Sequence, residues 1–344
     1  MLIKDEVRNW LKDTKIDFIK DYDLSKKSWI RAGGVIENVI TPSNLEQLKK
    51  ILEFLNKKEL NFYVFGNLSN TLIRDGIIKS PFINLKKFDK IEPTISKDNL
   101  LLKVGAGVPI PRFSQYLMKQ SFSDFEGLQG IPGSIGGGIF MNSSCYGYEL
   151  TKYVKEIISI DLSGKILKRK KDEALFDWRS SIYQKNKEII ISIIFEVPMS
   201  CKKDKNLIKL KSEKIRYHRK QTQESDFPNL GSLFATKNLY SDIKFVSFEY
   251  FKLFLYNKFF LILINNGIIK NLTLLNFRKK INKKYQIILQ IDERENFCLS
   301  EKTINCLVNK GNSSANNAIN LIKKLKVMIK NKVNLENIIL ENIE

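Results

Sequence analysis

Apolar positions in this chain change period several times, and each change marks an element. Val7, Trp10, Leu11 and Phe18 fall on one face of a helix read over residues 1–20. A strand-like run at 37–40 precedes Pro42 and Ser43, after which Leu45, Leu48, Ile51, Leu52 and Leu55 recur at helical spacing, with Ser43 read as the N-cap. Strands follow at 62–65 and 100–104, and a helix at 110–119. Segments 157–162 and 165–169 alternate around Ser163-Gly164 as a hairpin, and 189–198 reads as one long apolar strand. Residues 202–220 suit a basic helix with a solvated face, and 316–330 a helix with Ile319, Ile322, Leu325 and Ile329 on one stripe. The Phe-, Leu-, Ile- and Lys-rich segment 235–297 carries no pattern that assigns it.

At 344 residues the chain has room for two or three domains, each able to bury a core without staples. Its four cysteines, Cys145, Cys201, Cys298 and Cys306, are scattered without metal spacing, which fits free thiols in a reducing compartment and no metal site. The charged N-terminus lacks the apolar core of a signal peptide, and the apolar run at 259–269 is about half of what a bilayer span needs. A cytoplasmic protein without membrane insertion is expected. The net charge of +21 is spread through the whole chain beside Asn and Ile, a pattern that compositional bias also produces. It calls for no specific nucleic acid, yet it favours anionic small molecules. The one histidine, His218, is read as solvated or structural.

The chemistry concentrates in residues 126–149, EGLQGIPGSIGGGIFMNSSCYGYE, which hold Gly127, Gly130, Gly133, Gly136, Gly137, Gly138 and Gly147 of the 17 glycines in the chain. Glycines let amides approach a ligand closely, and several amides in one concavity make a nest for a pyrophosphate. A dinucleotide is the expected guest, although the spacing is not that of a strand-to-helix nucleotide loop. A second candidate loop follows the 62–65 strand, Gly66-Asn67-Leu68-Ser69-Asn70-Thr71-Leu72-Ile73-Arg74-Asp75-Gly76, and a third is Gly105-Ala106-Gly107. Arg179 stands in Phe176-Asp177-Trp178-Arg179-Ser180-Ser181, and Ser232 in Phe227-Pro228-Asn229-Leu230-Gly231-Ser232-Leu233-Phe234.

Together these stretches resemble the UDP-N-acetylenolpyruvoylglucosamine reductase family of bacterial cell-wall synthesis, as a divergent member. The family's G-I-P-G-(S/T)-(I/V)-G-G-A-x-x-M-N-A-G-A-Y-G is nearly complete here, with Ser143, Ser144 and Cys145 replacing Ala-Gly-Ala. Its G-x-G-S-N loop matches except at Leu68, where glycine is usual, and its entry N-T-(F/Y)-x-x-G-G is recognisable at residues 28–34. Arg219-Lys220-Gln221 and the segment around Ser232 match two further strings, and residues 300–314 a third.

The resemblance implies an α+β fold, with a two-part FAD-binding domain of the FAD-linked oxidase (PCMH-like) kind at 20–200 behind a helical lead-in at 1–19. A C-terminal α+β substrate-binding domain follows at 201–344, including the unusual 235–297 segment. It implies FAD as cofactor, NADPH as hydride donor, a UDP-sugar substrate and a monomer. Residues carried over for the cofactor are Gly66, Asn67, Ser69, Asn70, Thr71, Gly105, Gly130, Pro132, Gly133, Ser134, Gly136, Gly137 and Asn142. Those for the substrate are Tyr146, Lys220 and Thr236. Arg179 would hold the substrate carboxylate, and Ser232 would donate the proton. The family ends in L-x-x-E-(V/I) with a catalytic glutamate, but Leu335 as that leucine puts Ile338 at the glutamate position. Glu341 is taken as the carboxylate, with Glu336 as the alternative. Two other readings stay open: a related flavoprotein acting on another nucleotide sugar or alcohol, and a nonenzymatic polyanion-binding protein.

Overall fold

The computed structural model describes residues 3–96, 98–265, 271–291, 296–311 and 313–343. Two five-stranded sheets form the first two thirds of the chain. In the first, Asp17–Asp23 pairs antiparallel with Val35–Thr41, which runs parallel to Phe82–Asn84, and that strand runs parallel to Tyr63–Phe65. The two-residue strand Ile77–Ile78 lies beside Val35 and Ile36. The second sheet is antiparallel throughout, in the order Ile166–Lys170, Val154–Ile160, Ile189–Pro198, Asn99–Gly105 and Ile91–Ile95.

The strand Ile189–Pro198 is central in its sheet and almost continuously buried, which is why its sequence is an unbroken apolar run. One apolar core joins both sheets through the helices Ile3–Asp13, Leu45–Lys57 and Ile110–Lys119. The opening helix ends sooner than its pattern predicts. Lys15 turns at φ +53°, Ile16 drops into the core, and Asp17 already begins a strand, with Val7 and Leu11 of the helix packed in the same core. The next helix is capped by Asn44, which accepts from the Gln47 amide at 2.9 Å, and not by Ser43.

The C-terminal third begins with the helix Lys205–Thr222, capped by Asp204. The segment that resisted assignment holds the helices Leu239–Ile243, Phe248–Asn265 and Asn271–Ile288. The predicted run 259–269 lies partly outside the described residues, and no described helix is long and apolar enough to cross a membrane. Beyond it, Phe297–Leu299 pairs with Leu307–Asn309, and the helix Ala315–Met328 buries Ala318, Ile319, Ile322 and Leu325.

The chain then returns to the first sheet region. Ile338–Leu340 pairs parallel with Thr71–Ile73, and Arg74 donates from Nε and Nη2 to the Ile343 carbonyl at 3.0 and 2.8 Å. Asp75 accepts from the Ala315 and Asn316 amides at 3.0 and 2.8 Å, so a carboxylate of the N-terminal part caps a C-terminal helix. These ties set the C-terminal tail against the loop 66–71.

Leu68 occupies the glycine position of that loop at φ +53°, a conformation costing an L-residue about 1 kcal/mol. Its side chain is buried with Leu24, Ile36, Val39 and Phe82, and that burial offsets the strain. Leu68→Ala is expected to cost about 3 kcal/mol. Leu68→Gly is expected to cost about 1 kcal/mol less, because glycine keeps the turn without strain. That is the reverse of the usual order of alanine and glycine, and urea unfolding of the two variants measures it.

Candidate active site

The loop 66–71, the Gly-rich segment and the C-terminal third enclose a cleft of about 1950 Å3. Typical ligand pockets run to about 1000 Å3, so this one has room for two large guests together. Among the described residues, ten lysines and arginines line it against four carboxylates. The cleft therefore attracts anions.

The two loops meet edge to edge. Ser69 Oγ donates to the Pro132 carbonyl at 2.8 Å, and a Cβ on Gly66 would lie 2.5 Å from Ser134 Oγ. Only glycine permits that approach. Part of the Gly-rich segment is spent on packing, while the amides of Gly133 and Ser134 have no acceptor among the described residues and border the cleft. Ile135 and Gly136 donate their amides to the carbonyls of Val108 and Ala106, which seats the short helix Ile135–Phe140 on the turn after Asn99–Gly105. The amides of Asn67, Leu68 and Ser69 have no acceptor among the described residues and line the cleft. Donors of that kind, beside glycines and under a basic wall, suit a dinucleotide pyrophosphate.

Most of the expected residues border this cleft: Gly66, Asn67, Ser69, Asn70, Thr71, Gly130, Pro132, Gly133, Ser134, Gly136, Gly137, Tyr146, Arg179, Lys220, Ser232 and Thr236. Three do not. Gly105 packs where a Cβ would lie 2.1 Å from the Phe88 carbonyl oxygen. Asn142 uses its amide to donate to the Asp177 carbonyl and to accept from Thr151, both at 2.8 Å, so it braces the turn that carries Arg179. Glu341 lies past the end of the last strand, ion-paired to Lys323 on the helix Ala315–Met328 and away from the cleft. Asn70 borders the cleft, but its side chain holds the tail: Nδ2 donates to the Glu336 carbonyl at 3.0 Å, and Oδ1 accepts from Asn337 at 2.7 Å.

Glu336 is the carboxylate inside. Its Oε1 lies 2.8 Å from Arg179 Nε, with the two side chains 16% and 17% exposed. Burial raises the Glu336 pKa above the usual carboxylate value, while the guanidinium opposes the rise. Arg179 sits at φ +55° and donates from Nη1 and Nη2 to Ser144 Oγ and O at 3.2 and 3.1 Å. Ser144 replaces a glycine of the family string, so this chain adds a hydroxyl anchor to the arginine. One N–H of each Nη remains for a ligand, while the buried Nε is close to Glu336 but makes no aligned hydrogen bond.

Asn337 faces the other way and fixes the carboxylate from behind. Its Nδ2 lies 3.1 Å from the carbonyls of Leu230 and Ser232 as well as contacting Asn70. Asn337→Ala is expected to lower stability by about 1–3 kcal/mol, read by thermal unfolding, because buried acceptors lose their donor.

Sequence reasoning missed two residues of the wall. Arg219 donates to the carbonyls of Gly130 and Gly127 at 2.7 and 2.9 Å and lies over the Tyr146 ring at 5.1 Å. It thereby ties the basic helix to the Gly-rich segment. His218, read as structural, borders the cleft with its ring edge-on to Tyr146 at 5.2 Å. The Tyr146 hydroxyl is 3.1 Å from Thr222 Oγ1, a contact that proline at 222 would lack. The match of Arg219-Lys220-Gln221 was the available signal for this wall.

A family model described as an FAD binding domain matches residues 36–169. The two sheets and the cleft between them and the tail define a flavoprotein of the FAD-linked oxidase fold. Curated relatives specify it further. UDP-N-acetylenolpyruvoylglucosamine reductase of Aquifex aeolicus is 30% identical over 217 residues, 63% of this chain and 71% of the relative. That of Lactobacillus gasseri is 34% identical over 224 residues, 65% and 72% of the two chains. That of Clostridium tetani is 26% identical over 334 residues, 97% and 94% of the two. The crystal structure of the Thermus caldophilus reductase superposes with a TM-score of 0.65 at 18% identity, covering 94% of this chain and 98% of that one. The chain belongs to the UDP-N-acetylenolpyruvoylglucosamine reductase family.

Proposed function

We propose that this chain reduces UDP-N-acetylglucosamine enolpyruvate to UDP-N-acetylmuramate, with FAD as the bound cofactor and NADPH as the hydride donor. Family membership supports the reaction, and the observation that carries it to this chain is the Arg179–Glu336 pair at 2.8 Å inside the cleft. FAD, when bound, supplies hydride chemistry; the protein must orient the substrate toward it. Asn67, Leu68 and Ser69 would hold its pyrophosphate by their amides, beside Gly130, Pro132 and Gly133. The basic helix Lys205–Thr222, through Lys220, together with Tyr146 and Thr236 and with Lys237, which also lines the cleft, would hold the UDP-sugar.

Hydride arrival at the enolpyruvyl double bond builds negative charge that spreads onto the substrate carboxylate. Arg179 stabilises that charge more than it stabilises the ground state, using the Nη N–H groups that Ser144 leaves open. Glu336, whose pKa burial raises against the opposing Arg179 guanidinium, faces the same carboxylate and helps orient it. Ser232 then gives a proton to the neighbouring carbon, which completes the two-electron reduction. Ser232→Ala is expected to slow this step about 100-fold with flavin binding unchanged, as single-turnover absorbance measures.

The same reading makes the chain a cytoplasmic, monomeric enzyme of peptidoglycan precursor synthesis, with consequences for cell shape and division. It is tested by NADPH oxidation: turnover must require the enolpyruvyl UDP-sugar and must be lost in Arg179→Ala. Ile338 at the family's glutamate position favours a second reading, a reductase of another nucleotide sugar. Turnover with such a sugar and none with the enolpyruvyl compound would establish that one instead.

A further inference from the structure

The helix Phe248–Asn265 is apolar on two opposite sides. Its inner side buries Tyr250 and Leu253 in the C-terminal core, where Tyr250 stacks on Tyr285 at 5.9 Å. On the outer side Phe248, Leu255, Phe259 and Ile262 are 75%, 48%, 60% and 48% exposed. At 100° per residue these four positions fall within about 60° of arc, a single stripe along the helix. Phe245, 74% exposed, continues it before the first turn. A helix apolar all round is normally covered on both sides.

The charge around the stripe indicates what covers it. Lys244, Lys252, Lys258 and Lys284 lie on or beside this helix among the described residues, and Glu249 is the one carboxylate of Phe248–Asn265. Lys252 flanks the stripe about 20° beyond one edge and Lys258 about 40° beyond the other, while Lys244 lies 4.9 Å over the Phe245 ring and Lys284 6.0 Å over Tyr256. A second copy of the chain would set this positive charge against itself. Lysines flanking an apolar stripe on both edges suit a lipid surface, because their stems lie along the apolar side chains while their ammonium groups reach the phosphate level.

We propose that this face docks on an anionic bilayer, with the helix lying in the headgroup plane and its aromatic residues inserted. The arrangement is that of an interfacial helix: an apolar face, basic flanks and no span. The attraction is charge-dependent and weakens as salt is raised.

The test uses the full-length flavoprotein. Co-sedimentation with phosphatidylglycerol–phosphatidylcholine vesicles is compared with phosphatidylcholine vesicles alone. Wild-type protein is expected to bind the anionic vesicles selectively. The double variant Phe248→Ser, Phe259→Ser is expected to bind about 100-fold more weakly, and Lys252→Glu, Lys258→Glu to lose the selectivity. Both should keep wild-type NADPH oxidation in solution, since none of the four residues borders the cleft. Absence of binding, equal binding to neutral vesicles or undiminished binding by the phenylalanine variant would overturn the proposal. So would a wild-type dimer in sedimentation equilibrium that the phenylalanine variant dissolves.

Discussion

Replacing Arg179 by alanine is expected to slow oxidation of the reduced flavin by the enolpyruvyl substrate about 10^3-fold, with flavin content unchanged. The size follows from the geometry. The guanidinium is largely buried, held by Ser144 on one side and faced by Glu336 on the other. Charge that develops on a carboxylate there is screened little by water, so the loss of its cation is severe. Arg179→Lys is expected to recover only a small part, because an ammonium cannot reproduce the planar fork that Ser144 and Glu336 fix. Stopped-flow absorbance of the flavin band separates this step from reduction by NADPH, which should remain near the wild-type rate in both variants.

The second large effect concerns Glu336. Glu336→Gln is expected to lower the same rate about 100-fold. Glu336 and Ile338 both border the cleft, whereas Asn337 between them is turned away and buried, as the two-residue repeat of an extended chain requires. A carboxylate at 338 would therefore enter from the same face. The double variant Glu336→Gln, Ile338→Glu is expected to regain about tenfold over Glu336→Gln alone. No gain would mean that the carboxylate must sit against Arg179, and not merely on that face.

Glu336 also has a pH signature in stability. Burial lifts its pKa in the native state above the unfolded value, so the native protein holds this proton more tightly. Its contribution to stability is complete below the unfolded pKa and declines as pH rises through the raised native value. Glu336→Gln should remove that decline, which urea midpoints measured across the acid-to-neutral range would reveal.

Much of this was legible in the chain. The periods of 2 and 3.6 located four of the five strands of the second sheet and the helix Ile110–Lys119, because those elements pack by one face or lie wholly inside, and missed the exposed edge strand Ile91–Ile95. The Gly-rich string located the cleft. What it could not reveal is which amides are free, since the turn at 105–108 takes those of Ile135 and Gly136. Leu68 stands where glycine is usual, and a local apolar pocket that the sequence does not announce accommodates it there. Glu336 was hidden for a different reason. Its place depends on Asn70, Arg74 and Asp75, more than 230 residues earlier, which hold the tail in register. A family string counts positions along the strand, and that count falls on Ile338, so it cannot decide between Glu341 and Glu336. The helix 248–265 escaped assignment because a segment apolar on opposite sides has no single-face period.

The central claim is that this cleft passes hydride to an enolpyruvyl UDP-sugar, and one anaerobic experiment tests it most directly. The purified flavoprotein is reduced with NADPH and mixed with UDP-N-acetylglucosamine enolpyruvate while the flavin band is followed. Rapid return of the oxidised band with formation of UDP-N-acetylmuramate is the expected result. A flavin that stays reduced in the presence of that substrate would contradict the account.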